Sequence, residues 1–448
     1  MTILLLCWAL LFLALLAFVV RRGQHGGILV LAYFAGLSLI HVPGALIYTG
    51  TAPNLADGFV TETGFIATLV GLSAFVVGSL AANLRALKQV VNPVTLTLDY
   101  RRVGKVMLLL GVAVYFFAMP VLSFIPSATA IISSAGGLLP MGLWFWLYSA
   151  KVTHDRRRFW LGLAMLPLLP LSTMVSGGFI GFGVYWVIAI AAFVYCIVPR
   201  KRLFLLLAPV VLGLGLSFAV AYFGERNALR ESVWIQQAGL LDRLSRVTQM
   251  IERFEFLDLD NFDHVAPIND RLNQNILVGK AIDQREMGLS EPAYGATVPL
   301  WIFIPRAIWP DKPAVGGSGD IVSRYTGLDF AVGTSVGVGQ PLEFYINFGW
   351  PGIAAGFALF GYVLMRLDMA LMLAFRRCDV YGVMRAGLPG LALLQPGGSL
   401  MEMLVAGIGA LIAAPLINRL LKKTGWLEKG RASGRGAVTS TGRSRWNS

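Results

Sequence analysis

The chain has 448 residues, is 56% hydrophobic and only 14% charged, and carries a formal net charge of +13. Soluble domains run nearer a quarter charged, so a soluble fold is excluded; a membrane β-barrel is excluded too, because the apolar runs are continuous rather than alternating. The positive charge would suggest nucleic acid in a soluble protein, but its placement along this chain has another cause, and no nucleic-acid partner is expected.

Apolar stretches of membrane-crossing length recur, which predicts an all-α polytopic integral membrane protein. Eleven transmembrane helices are expected near 2–20, 28–50, 61–82, 105–125, 128–150, 159–176, 178–198, 203–223, 342–365, 380–395 and 399–420. The first is expected to be a retained span, since it has neither the charged leader nor the small-residue cleavage site of a signal peptide. Every second connection is basic: Arg21 and Arg22, Arg85 to Lys105, Lys151 to Arg158, Arg200 to Arg202, Arg366 to Arg385, and the tail from Arg419. These hold 26 of the 37 Lys and Arg, and the alternate short loops around 51–60, 126, 177 and 396 hold none. That alternation predicts an external N-terminus and a cytoplasmic C-terminus. The tenth helix is short, rich in Gly and Pro, and carries Arg385. Without it the eight Lys and Arg of the tail would move outside, so the charge rule keeps it.

The organisation expected is therefore helices 1–8 over 1–223, a large external loop over 224–341 between helices 8 and 9, helices 9–11 over 342–420, and a basic tail over 421–448 whose Gly/Ser/Arg composition predicts disorder. Cys7, Cys196 and Cys378 lie in spans or at the cytoplasmic face, so no disulfide framework is expected.

The remaining 11 Lys and Arg all fall in the connection 224–340, which at 117 residues is too long for a connector. It also holds 15 Asp and Glu, net −4, so its cations matter by placement. It opens with "FGERNALRESVW", where Arg226 and Arg230 are four apart and share a helix face just outside helix 8. In "GLLDRLSRVTQMIERFEFL", Leu240, Leu244, Val247, Ile251 and Phe254 form a helical stripe with Arg243, Arg246 and Arg253 away from it. This predicts an amphipathic helix against the bundle, with the outer membrane surface as the alternative. "DLDNFDH" sets Asp258, Asp260, Asp263 and His264 together. A DxD can hold a divalent metal for a nucleotide-sugar transferase, but nucleotide sugars are cytoplasmic, so a solvated acidic turn is expected and no metal site is assigned.

"WIFIPRAIWPDKP" follows, with Pro305, Pro310 and Pro313 forbidding a long helix and Trp301 and Trp309 suited to the membrane–water boundary. It would hold Arg306 and Lys312 at headgroup height, where the plain alternative is snorkelling to lipid phosphates. "GGSGD" next offers backbone N–H groups to an anion. "VGTSVGVGQP" then leads into helix 9, where Pro341 suits the first turn, Glu343 lies in it and Asn347 is one turn on. For Glu343 the plain alternative is a partner of the helix dipole.

"IPRAIWPDKP", the glycine-rich stretch and "EFYINFGWPG" together resemble the oligosaccharide repeat unit polymerases, the O-antigen (Wzy-type) polymerase family. The resemblance rests on Ile304, Pro305, Arg306, Trp309, Pro310, Lys312, Pro313, Glu343, Tyr345, Asn347, Phe348, Gly349 and Gly352. It covers about residues 298–356, and Arg306 with Gly317 repeats an arginine–ten residues–glycine spacing that such polymerases show. The resemblance implies a glycosyltransferase of the lipid-carrier, GT-C-like type. It would join undecaprenyl-pyrophosphate-linked oligosaccharide repeat units at the outer face of a bacterial inner membrane, with a flippase and a chain-length regulator as partners. It would need no cofactor and no metal if arginines carry the charge.

The pyrophosphate must leave as negative charge builds on it, which suits guanidinium groups. Arg306, Lys312, Arg226 and Arg230 are the expected anion ligands, with Asn347, Tyr345 and Gly317 near the sugar or phosphate. Arg306 is also placed in the catalytic step. Glu343 is the first candidate for the base that takes the acceptor's proton, and His264 the second. The alternatives are the related ligase, a lipid-linked oligosaccharide flippase or transporter, and a structural scaffold. A transporter would place ionisable groups mid-membrane, where only His41 and Glu402 are expected.

Overall fold

The computed structural model describes residues 1–22, 26–50, 57–84, 99–122, 126–198, 201–234, 236, 239–293, 309, 318–330 and 336–427. Most of the "IPRAIWPDKP" stretch, including Arg306 and Lys312, lies outside the described residues, as do Gly317 and the tail from 428.

The fold is all helical, with no strand among the described residues. In chain order the helices are α1 (Thr2–Arg22), α2 (Ile28–Ile47), α3 (Gly58–Leu84), and α4 (Tyr100–Ala113), which runs through a π-helical turn (Val114–Ala118) into α5 (Met119–Leu122). Next come α6 (Pro126–Ala135), α7 (Leu138–Val152), α8 (Arg156–Ala164), α9 (Leu168–Gly177), α10 (Gly181–Ile197) and α11 (Lys201–Trp234). The loop region holds α12 (Leu240–Glu252), α13 (Phe262–Leu272), α14 (Gln274–Glu286) and α15 (Ser318–Thr326). The chain closes with α16 (Gln340–Arg376), α17 (Val380–Ala392) and α18 (Leu400–Thr424).

Eight of these stretches are long and apolar enough to cross a membrane: α1, α2, α3, α6 with α7, α8 with α9, α11, α16 and α18. The other three expected spans are helical but fall short of that standard. α10 is apolar with 17 residues, α17 has 13, and α4 has 14 before the π-helical turn interrupts it.

Two expected boundaries differ. α11 continues past residue 223 to Trp234, and its 34 residues span about 51 Å at 1.5 Å per residue, more than the roughly 30 Å of a bilayer core. The ninth expected span is two helices joined at a break. Gly349 has φ 65° and ψ −154°, a conformation essentially reserved for glycine, and Pro351 removes the next donor. A buried half-helix, 340–348, thus precedes the apolar segment that runs on to Arg376.

The bundle centres on α3. Gly64, Gly71 and Gly78 recur every seven residues and form one smooth stripe. A Cβ at Gly64 would come within 2.0 Å of the Asn275 carbonyl oxygen, and one at Gly78 within 1.9 Å of that of Ala358. Close backbone approach of this kind is how helices pack without a hydrophobic drive between them. α14 and α16 lie along that stripe one after the other, so the loop helix α14 occupies the groove that α16 fills farther along.

Contacts sort the connections into two ends. At one, Lys280 pairs with Asp57 at 3.6 Å, Tyr222 Oη donates to the Gly178 carbonyl at 2.9 Å, and Gln340 Nε2 donates to the Gln395 carbonyl at 2.8 Å. At the other, Arg102 Nε donates to the Trp426 carbonyl at 2.8 Å and Tyr100 Oη meets Cys378 Sγ at 2.8 Å. The connections around 57, 178 and 395 therefore share an end with the large loop, and Arg102, Cys378 and Trp426 gather opposite.

Asp368 adds an ionisable group within a span, three residues past the expected end of the ninth helix. Asp368 is fully buried, and its Oδ2 accepts the N–H groups of Gly27, Leu29 and Val30 at 2.8, 3.0 and 3.4 Å. It caps the N-terminus of α2 from another helix, a place where a carboxylate stabilises the dipole and the unpaired donors.

Candidate functional site

The polar side chains of the loop end fall into three groups. The first surrounds the half-helix 340–348. Gln340 accepts from Tyr33 Oη at 2.9 Å and donates to the carbonyls of Gln395 and Gly398 at 2.8 and 2.9 Å. One turn on, Glu343 is buried and accepts the backbone N–H of Leu400. Leu400 opens α18, whose N-cap Ser399 exchanges 3.0 Å hydrogen bonds with Glu402 in a capping box. Glu343 therefore serves the N-terminus of a neighbouring helix, where its own helix's dipole was the expected plain role. Glu402 is likewise a cap.

Asn347 lies one turn below Glu343 as expected, half exposed, with Nδ2 donating to the Glu343 carbonyl at 2.8 Å. Tyr345 is buried against Trp350, with ring centroids 6.0 Å apart. The break at Gly349 strips the last carbonyls of the half-helix of their helical donors. Arg285 of α14 supplies one, donating to the Tyr345 carbonyl at 3.1 Å, and Ala293 N–H donates to the Ile346 carbonyl at 2.9 Å. Arg285 was not singled out by the sequence, because nothing local marks it; its partner is 60 residues away.

The second group is cationic. α11 carries Arg226 and Arg230 on one face as expected. Tyr222 lies beside both, and Arg271 from α13 bears on both electrostatically. Tyr222 is anchored on the Gly178 carbonyl, and Arg230 lies 4.4 Å from the Phe179 ring centroid. Arg226 is only 9% exposed, and among the described residues neither it nor Arg271 forms an ion pair with a carboxylate. The acids nearby in sequence are engaged elsewhere: Glu225 with Arg253, and Glu231 with Gln236 at 3.1 Å. Arg271 carried no signal of its own in the sequence, where it is one charge among many in the long loop.

α12 closes over this group, rotated from the expected face. Val247 and Met250 pack on Tyr222, Leu229, Met174 and Val175, while Arg243 turns inward and donates to the Val175 carbonyl at 3.2 Å. Leu241, Leu244 and Ile251 are left exposed. The carbonyls that end α9 attract the arginine inward, so the helix packs on the bundle by one face and keeps an apolar face outward.

The third group docks α13 and α14 onto the bundle. Asn273 Nδ2 donates to Asn269 Oδ1 at 2.9 Å and to Thr61 Oγ1 at 3.2 Å; Asn275 Nδ2 donates to Asn273 Oδ1 at 2.9 Å and to the His41 carbonyl at 2.8 Å. Asn275 Oδ1 then faces His41 Nδ1 at 2.7 Å, so the hydrogen sits on Nδ1. His41 is thus bonded to a loop-helix amide rather than to backbone.

His264 sits in the first turn of α13, two turns from Arg271. Its Nδ1 accepts the Asp258 N–H at 3.1 Å and its Nε2 lies 3.3 Å from Glu255, so both nitrogens serve the turn. Asp258, Asp260 and Asp263 are exposed there, and Asp258 accepts the Asp260 N–H at 3.0 Å.

The structure thus unites Arg226 with Arg230, and Glu343 with Asn347 and Tyr345, on separate elements of the same end. Arg306, Lys312 and Gly317 fall outside the described residues. No family model, no curated protein and no solved structure matches the chain.

Proposed function

We propose that this protein is a lipid-carrier glycosyltransferase that joins undecaprenyl-pyrophosphate-linked oligosaccharide repeat units into a surface polysaccharide. In this reading the chain crosses a bacterial inner membrane eleven times in a GT-C-like arrangement, with the basic end cytoplasmic and the loop end periplasmic. The observation that carries the reading is the convergence of Arg226, Arg230 and Arg271, with Arg226 nearly buried and, among the described residues, matched by no carboxylate. Removing a guanidinium from water without a counter-charge is costly, so such a group is expected to meet an anion. The resemblance over 298–356 supplies its identity, a sugar pyrophosphate.

In the transfer the anomeric carbon breaks its bond to the pyrophosphate oxygen and forms one to the acceptor hydroxyl, whose proton goes to a base. The arginines bind the departing diphosphate bidentately as its charge grows, an effect on the order of 3 kcal/mol per donor by analogy with oxyanion holes. Arg306 and Lys312 would add to that cradle, Glu343 would take the proton, and Asn347 would orient the acceptor. A flippase would deliver the substrate and a chain-length regulator would act with the enzyme.

The test is the glycan of a deletion strain complemented in turn with wild type, Arg226→Gln and Arg226→Lys. The deletion is expected to leave one repeat unit on the final acceptor, and Arg226→Gln to do the same at normal protein abundance. Arg226→Lys should restore polymer only partly, because a point charge lacks the fork. Complete polymer held on the carrier lipid would instead identify a ligase, and lipid-linked units trapped inside a flippase.

A further inference from the structure

The basic end holds a second cationic site, distinct from the loop-end arginines and independent of the reading above. A small cleft there is lined by Tyr148 of α7, by Phe193, Cys196 and Ile197 of α10, and by Met372, Phe375 and Arg376 of α16. α10 and α16 contribute residues at helical spacing, so two faces meet along one line beside Tyr148. Phe193, Ile197, Met372 and Phe375 are buried and make its walls apolar.

Cations ring the mouth. Arg376 lines the cleft itself and bears electrostatically on Tyr148. Lys151 stands one turn beyond Tyr148. Lys201 stands just past the end of α10, with Nζ 4.9 Å from the Tyr195 ring centroid, and bears on both Lys151 and Cys196. Among the described residues none of the three forms an ion pair with a carboxylate. Asp368 is the acid that bears on Cys196, and its Oδ2 is already held by three backbone N–H groups of α2. Two lysines and an arginine on the ends of three helices thus approach one another over an apolar slot.

We propose that this cleft binds an anionic phospholipid of the surrounding bilayer. Its phosphate would lie among Lys151, Lys201 and Arg376 at the mouth of the cleft. Charge complementarity selects the headgroup: basic pockets between helices at the cytoplasmic side are suited to anionic lipids, and a zwitterionic headgroup would bring its own cation to three others. The lipid would also fasten α11, whose first half is poorly held. Leu206, Val210 and Val211 are 73%, 59% and 64% exposed, and the principal partners of α11 are α9, α12 and α13.

The full-length protein, purified and reconstituted with phosphatidylglycerol or with phosphatidylcholine, tests this by native mass spectrometry and by thermal melting. Wild type is expected to retain one phosphatidylglycerol and to melt at a higher temperature with it than with phosphatidylcholine. The triple substitution Lys151→Gln, Lys201→Gln, Arg376→Gln should lower that retention at least fivefold and abolish the difference in melting temperature. Arg377→Gln, an exposed neighbour off the cleft, should change neither. If the triple variant folds poorly, Lys201→Gln alone should lower retention at least twofold. Equal retention of phosphatidylcholine, or retention unchanged by these substitutions, overturns the proposal and leaves the cations as partners of the three helix ends.

Discussion

Glu343 holds two readings in one carboxylate. Its oxygen accepts the Leu400 N–H at the mouth of α18, which is a structural duty, and its place beside Asn347 on the half-helix is where a base would stand. Substitution separates them. Glu343→Gln keeps an oxygen for Leu400 and removes basicity, so a base predicts at least about a hundredfold slower polymer formation with the protein still folded. Near-normal polymer in that variant would leave Glu343 as a cap only. Glu343→Leu strands a buried N–H and is expected to cost about 1–3 kcal/mol in stability, measured by thermal melting in detergent. His264 is less free for the role, because its Nδ1 already accepts a backbone hydrogen. The position of Glu343 was legible from the glycine-rich run and Pro341. Its partner was not, since Leu400 is 57 residues away.

At the scale of elements, the broken helix α16 is the feature with the most consequence. "NFGWPG" was expected to lie within one helix, and whether the pieces on either side of its break stay aligned depends on who satisfies the freed carbonyls. Here Arg285 does so from α14, joining the loop to the half-helix that carries Glu343 and Asn347. A charge-assisted bond of this kind contributes about 1.5–3 kcal/mol. Arg285→Ala is expected to lower the melting temperature and to speed amide hydrogen exchange over 340–348, leaving 71–78 of α3 unchanged. Exchange that stays as slow as in wild type would mean the half-helix is held by packing alone. α12 shows the limit of periodicity. Its helix was legible, but the face it buries was decided by the carbonyl of Val175, which turned Arg243 inward and Leu244 outward. A stripe of apolar residues says that a helix has a preferred side only when no polar partner competes for it.

Over the whole molecule, the charge alternation makes a prediction about sidedness. With Cys7, Cys196 and Cys378 replaced by serine, single cysteines placed at 240 or 290 should react with an impermeant reagent applied from outside, and cysteines at 155 or 435 should not. The reverse pattern would invert the molecule in the membrane. Composition by itself determined that the chain forms helices long and apolar enough to cross a membrane, because apolar runs of this length close their hydrogen bonds within each helix. The spacing of Lys and Arg also sorted the connections into a basic set and a Lys- and Arg-free set, since that pattern is written in sequence order. Only the tertiary structure decided what the buried polar groups do. Asp368 caps α2, His41 meets Asn275, and Arg271 joins Arg226 through contacts between distant elements that leave no local trace. It also decided how closely the helices approach: Gly64, Gly71 and Gly78 are ordinary glycines in the sequence and become a docking groove only because α14 and α16 lie against them.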